Sequence, residues 1–229
     1  IDLTDYPKYI YDNETLKEIQ ACRDVWFSGM RNKYISIPSG RDSEMFIINF
    51  HKGRSYPFVK MPLYELTDSV VDGELVLTNE IMDLREMILE MPSISQKFLT
   101  AENFLLKKFH TKLVVNPFIE FAVNRIVEAP SQLTIEQISH KVGYSQKHLI
   151  KLFKDNVGLT PKGFLKVIRF QKAIQEIDAS KNISWAGLAL ESGYYDQAHF
   201  INDFKLFSGF TPQEYLQKQS EYLNYIAVG

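Results

Sequence analysis

Gly193-Tyr194-Tyr195-Asp196-Gln197-Ala198-His199-Phe200-Ile201-Asn202-Asp203-Phe204-Lys205, with Gly209-Phe210-Thr211-Pro212 behind it, occurs a second time in this chain in altered form. Gly158-Leu159-Thr160-Pro161 aligns with Gly209-Phe210-Thr211-Pro212 at an offset of 51 residues, and the same offset pairs Leu149 with Phe200, Phe153 with Phe204 and Phe164 with Tyr215. Gly143-Tyr144 aligns with Gly193-Tyr194 at an offset of 50, so the later copy carries one extra residue near Tyr195. The period is too long, and the copies too few, for a solenoid. Each copy reads as helix, Gly-Tyr turn, helix, Gly-x-Thr-Pro, helix.

The residue types explain that reading. A short helix ends at a glycine, which takes a left-handed conformation at low cost. Ser145 or Asp196 then caps the next helix. Leu149, Leu152 and Phe153 in one copy, and Phe200 and Phe204 in the other, form its inward side. Thr-Pro closes the unit by capping and starting a further helix. Two helices joined at a steep angle by a glycine turn make a helix-turn-helix, whose second helix can enter the DNA major groove. The outward side of that helix carries Gln146, Lys147, Ile150, Lys151 and Lys154 in the first copy. In the second it carries Gln197, Ala198, Ile201, Asn202 and Lys205. Gln and Asn can pair bidentately with adenine, and Lys can reach guanine or phosphate. Two such helices on one chain need successive major grooves on one DNA face, about 34 Å apart. The helix between the copies, over 161–178, is placed to set that distance.

Charge is uneven between the copies. Residues 141–172 hold eight Lys or Arg against one acid, Asp155, whereas residues 173–229 hold three basic residues against seven acids. Phosphate contacts dominate affinity for DNA. The first unit is therefore expected to anchor DNA and the second to contribute less.

Upstream, Asn116-Pro117 reads as an N-cap with Pro at the first helical position. Phe118, Phe121, Ala122, Ile126 and Val127 supply that helix's expected buried stripe. Thr134 with Gln137 has the spacing of a capping box. Further back, Ile81, Leu84, Met87, Ile88 and Met91 recur at helical spacing as far as Pro92. Ser93 can cap a helix with apolar positions Phe98, Leu99, Phe104, Leu105, Leu106 and Phe109, reaching His110. Before about residue 71 the pattern is strand and turn: residues 24–30, 34–37 and 45–50, punctuated by Gly29, Pro38-Ser39-Gly40, Gly53 and Pro57. The expected fold class is α+β, a strand-rich N-terminal domain over 1–115 followed by an all-α DNA-binding domain over 116–229. Within the latter, subdomains of about 116–160 and 179–221 flank the 161–178 helix.

Composition fits a chain that buries a real core: 229 residues, 45% hydrophobic, 24% charged. The net charge of −2 neither points to nucleic acid nor excludes it. One cysteine, Cys22, cannot form an internal disulfide or a cysteine metal cluster, so a reducing compartment, the bacterial cytoplasm, is expected. No apolar run reaches the ~18 residues of a membrane span, and no basic-then-apolar leader is visible.

These residues resemble the AraC/XylS-type DNA-binding domain. Gly143-Tyr144-Ser145-x-x-His148-Leu149-x-x-x-Phe153-Lys154 with Gly158-x-Thr160-Pro161 is similar to its first half, and the Gly193 to Tyr215 pattern to its second. The likeness covers about residues 116–220. It implies seven helices, with a long helix linking two helix-turn-helix subdomains. It also implies that Gln146, Lys147, Ile150 and Lys151, and likewise Gln197, Ala198, Ile201 and Asn202, occupy base- or backbone-contacting positions. Many members carry Arg where Asn202 stands and a polar residue where Ile201 stands. Phe46-x-x-x-Phe50-x-x-Gly53 through Pro62-x-x-Glu65-Leu66-Thr67-Asp68 resembles the cupin-like domain that precedes such a DNA-binding domain in some relatives. In those regulators the N-terminal domain senses a ligand or dimerises.

The expected function is transcriptional regulation, with activation as the working direction. Double-stranded DNA is the partner, and RNA polymerase and a small-molecule effector are candidate partners. The chain could act as monomer or homodimer, since one chain already holds two reading helices. The competing reading is a sensor or dimerisation protein whose helical half binds protein. An enzyme of cupin type needs a His/Glu metal set, and the N-terminal half has only His51 and His110, so neither metal, cofactor nor catalysis is expected. His148 and His199 fit a structural role and a phosphate contact about equally. Trp185 reads as core. Lys162, Lys166 and Arg169 fit a solvated helix face or a phosphate contact.

Overall fold

The computed structural model describes residues 1–37, 43–59, 61–109, 113–130, 134–177 and 182–218. Strands β1 (Lys8–Tyr11) and β2 (Glu18–Cys22) form one antiparallel hairpin. Strand β3 (Trp26–Ser28) pairs antiparallel with β4 (Val70–Asp72), Trp26 opposite Asp72. Between β3 and β4 lie the short helix α1 (Tyr56–Val59) and a 3-10 turn over Leu63–Leu66. After β4 come α2 (Gly73–Leu77), α3 (Glu80–Leu89) and α4 (Ile94–Lys108). Seven further helices follow among the described residues: α5 (Pro117–Glu128), α6 (Ile135–Val142), α7 (Gln146–Val157), α8 (Pro161–Glu176), α9 (Trp185–Glu191), α10 (Gln197–Ser208) and α11 (Pro212–Lys218). The chain thus has strands first and helices after.

Two compact units result. One comprises Ile1–Met30, Ile35–Asn116 and Asp155–Gly158, the other Arg31–Tyr34, Pro117–Lys154 and Leu159–Gly229. In the first, Ile81, Leu84 and Ile88 present one fully buried stripe of α3 against Val25, Phe46 and Ala101. A second cluster gathers Phe27, Val59, Leu63, Leu66 and Val76. Arg85 is buried beside this stripe. Its Nε donates to the Asp2 carbonyl at 2.9 Å and its Nη2 lies 3.4 Å from the Asp24 carboxylate, which ties the start of the chain to α3.

Several sequence expectations shift here. Residues 34–37 and 45–50 do not form strands. Only Ser36 and Met45 engage in bridges, to Tyr11 and Asp2. Phe46 turns into the core while Met45 and Ile47 face outward, so the alternation is real, but the pairing stops after the bonds between Phe46 and Ile1. Helix α4 is capped by Ser93 as expected, its Oγ accepting from the Gln96 N–H. Its Phe98, Leu99 and Leu106 are exposed, with Ala101 the buried position; His110 lies outside the described residues. In α5 the buried stripe is Ile119, Ala122, Val123 and Ile126, and Phe118 and Phe121 sit at the surface edge. Seven of the twelve residues of α5 are apolar, too many for one face. The smaller β-branched chains take the inside, where close packing favours them.

Candidate nucleic-acid interface

Each half of the helical unit builds the same device from local rules. Thr134 accepts from the Gln137 N–H at 3.2 Å while Gln137 Oε1 accepts from the Thr134 N–H at 2.9 Å, so the capping box starts α6. The helix stops at Gly143, whose φ of 72° requires the left-handed region. Ser145 then accepts from the His148 N–H and opens α7. In the second half Ser184 caps α9 through the Gly187 N–H, the turn passes Gly193 at φ 90°, and Asp196 accepts from the His199 N–H at 2.7 Å to open α10. Thr160 and Thr211 cap α8 and α11 in turn. Thr211 and Glu214 bond reciprocally, and the Thr211 backbone N–H and then its hydroxyl, both donating to the Glu214 carboxylate, hold that carboxyl below its ordinary range.

Burial divides α7 and α10 cleanly. Leu149, Phe153 and Val157 of α7 are fully enclosed, as are Phe200 and Phe204 of α10. On the outer side of α7, Gln146, Lys147, Lys151 and Lys154 are exposed and Ile150 is half-buried. On α10, Gln197, Ala198, Asn202 and Lys205 are exposed. Ile201 is half-buried and packs against the core of its subdomain. The two caps, Ser145 and Asp196, are exposed with their oxygens committed to the helix N-termini.

Helix α8 serves both halves. Phe164 near its start packs on Phe153 with ring centroids 5.6 Å apart. Phe170 further on meets Phe204 and Phe207, each at 5.1 Å. Its sixteen residues span about 24 Å at 1.5 Å per residue. Arg169 donates from Nε and Nη2 to the Pro130 carbonyl at 3.1 and 3.0 Å, fixing α8 to the end of the α5 segment. Burial lowers the pKa of this guanidinium from its ordinary value.

The structure also brings together residues that sequence reasoning did not group. Asp203, on α10, is buried. Its Oδ1 lies 2.7 Å from Lys166 Nζ of α8 and its Oδ2 3.4 Å from His199 Nε2. The His199 ring stands edge-on to Tyr194 at 5.3 Å, and the His148 ring stands the same way to Tyr144 at 4.6 Å. Burial, and then the nearby Asp203 carboxylate, push the Tyr194 phenol above its usual range. The signal in the sequence was the recurrence of Gly-Tyr with a His four or five residues on. Lys166 and Arg169 thus have internal partners, while Lys162 is exposed. Trp185 packs against the core of the second half. Among the described residues no helix is long and apolar enough to cross a membrane.

Comparison with known proteins bears on the same segment. Residues 121–218 match the family described as a helix-turn-helix domain. The lactose operon transcription activator of Staphylococcus xylosus is 25% identical over 167 residues, 64% of this chain and 60% of that protein. An uncharacterized HTH-type transcriptional regulator of Haemophilus influenzae is 33% identical over 86 residues, 38% of this chain and 28% of that protein. The chain therefore spans less than two thirds of the length of either relative. Among solved structures, the C-terminal domain of AraT, a response regulator from Geobacillus stearothermophilus, shares 27% identity over 47% of this chain and 91% of that one, with a TM-score of 0.43. The family match runs from within α5 to the end of α11 and so takes in both halves of the helical unit.

Proposed function

We propose that this protein is a sequence-specific transcriptional regulator that lays α7 and α10 into successive major grooves of double-stranded DNA. The observation that carries the proposal is the duplicated, capped helix whose apolar side is fully enclosed and whose outer side is polar and exposed. Such a surface is what a groove-reading helix needs, since bases are read by side-chain donors and acceptors at the base edges. Gln146 and Lys151 on α7, and Gln197 and Asn202 on α10, are the residues assigned to base edges. Lys147, Lys154 and Lys205 are assigned to phosphate. Ser145 and Asp196 act by starting the two helices, so their backbone N–H groups meet the phosphate with the helix dipole behind them. Ile150 and Ala198 are assigned apolar contact with a thymine methyl. Ile201, half-buried, is assigned the smallest part.

Residues 116–229 are assigned as the DNA-binding domain and 1–115 as the regulatory one, acting in the bacterial cytoplasm. The regulatory domain is assigned the cupin-like class from its Phe46-to-Asp68 motif. That reading is supported by Phe46 and Leu66 lying in its core. A small apolar cleft of about 70 Å³ within this unit, lined by Val25, Phe46, Phe104 and Phe109 with Lys108 among its lining residues, is the candidate place where a small effector would enter. Activation through RNA polymerase is the working direction, in line with the name of the Staphylococcus xylosus relative. One chain carries two reading helices, so specificity requires no dimer.

The test is selection of duplexes of about 20 base pairs from a randomised pool, followed by affinity measurement over a range of salt. A regulator enriches one motif and binds it about 10³-fold or more above random duplex. Uniform affinity across the pool would assign the helical half to a protein partner instead.

A further inference from the structure

Tyr195 is the extra residue of the second repeat, and it is 88% exposed, the most exposed large apolar-bodied side chain among the described residues. Its neighbour Tyr194 is turned into the core, its ring edge-on to His199 and tilted against Phe200. The one-residue insertion therefore leaves the inward tyrosine of the Gly-Tyr turn in place and sets a second ring outside it, next to Asp196 at the start of α10. It stands beside the exposed run Asp196, Gln197, Ala198.

The charge around this half gives that position a use. Lys166 is paired with Asp203, Arg169 is bound to the Pro130 carbonyl, Lys172 donates to the Glu191 carbonyl, and Lys218 lies over the Phe210 ring. Lys205 remains on the outer side, within the field of Glu214. Among the described residues the second half thus has little cationic surface with which to hold phosphate. A phenol supplies a neutral hydroxyl donor on a rigid stem, and tyrosine is among the side chains that donate to phosphate oxygens. Being neutral, it leaves the number of counterions released on binding unchanged.

We infer that Tyr195 is a phosphate-contacting residue, through which the second helix-turn-helix unit grips the DNA backbone by a charge-neutral hydrogen bond. This rests on the DNA-binding function proposed above. The test uses the full chain and the duplex it enriches from a random pool, with variants Tyr195→Phe, Tyr195→Ala and, as a charged control, Lys147→Gln. Tyr195→Phe is expected to weaken binding by about threefold to tenfold at every salt concentration, with log K against log salt running parallel to wild type. Lys147→Gln is expected to lower that slope by about 0.9. With either half of the duplex scrambled in turn, the Tyr195→Phe loss vanishes on one of the two. That is the duplex on which Lys147→Gln still weakens binding.

Wild-type affinity in Tyr195→Phe, a changed salt slope, or an equal loss on both scrambled duplexes would overturn the assignment. The exposure of Tyr195 keeps stability out of the comparison. Failure of the wild-type chain to enrich any duplex would instead remove the DNA-binding reading itself, so the two failures are distinct.

Discussion

Replacing Lys166 by Met removes the cation that faces a carboxylate of which only 6% remains exposed. Breaking a buried pair from one side typically costs about 3–5 kcal/mol, because the remaining charge is left without compensation. Two features reduce that figure. The Lys166 side chain is itself 32% exposed, and His199 Nε2 stands 3.4 Å from the other carboxylate oxygen. A cost of about 2–3 kcal/mol is therefore expected for Lys166→Met. Asp203→Leu added to it removes the stranded charge, and the double variant is expected to recover most of the loss. Only two tryptophans are present, Trp26 and Trp185, and Trp185 packs against the core that contains Phe200 and Phe204. Urea unfolding followed by Trp185 fluorescence in a Trp26→Phe background reads this half selectively. A single-variant cost below about 0.5 kcal/mol, the scale of an exposed pair, would refute the account. So would a double variant less stable than the single one.

Charge reversal at Lys147 and Lys151 is expected to weaken DNA binding much more than Lys205→Glu and to lower the salt slope by at least about 0.9, the one phosphate contact assigned to Lys147; equal losses would remove the asymmetry between the halves. Gly143→Ala places a Cβ in open space but at φ 72°, so about 1–2 kcal/mol of backbone strain is expected, and Gly143→Asn should cost less; urea titration distinguishes them. The reciprocal bonds of Thr211 hold Glu214 below its ordinary 4.5, so its folded-state pKa lies below the unfolded one. Its contribution is present above about 4.3 and fades as pH falls through the depressed value, and carboxyl titration by NMR in a Thr211→Val variant, which loses the hydroxyl bond but keeps the backbone N–H, should move Glu214 only part of the way back up.

The repeat was legible because its signals are local. Thr134 with Gln137, Gly143 at positive φ and Asp196 ahead of His199 each act within four residues, so chain order alone carries them. Position along α7 and α10 likewise separated Leu149 and Phe200 from Lys147 and Gln197. What spacing could not settle was competition between neighbouring apolar faces. In α5 it favoured Phe118 and Phe121, where packing chose Ile119 and Val123. The segment 45–50 had strand composition, yet a ladder needs a partner of equal length, and among the described residues only the first residues of the chain pair with it. The Lys166–Asp203–His199 cluster joins residues 37 and 33 positions from Lys166 in sequence and so left no local trace.

Hydroxyl-radical footprinting of the full chain on its selected duplex tests the central claim most directly. Two protected backbone segments on one DNA face, about 10 base pairs apart, are expected, with the segment under α10 lost first when Asn202 and Lys205 are replaced by Ala. A single protected segment, or two on opposite faces of the duplex, would contradict insertion of both helices.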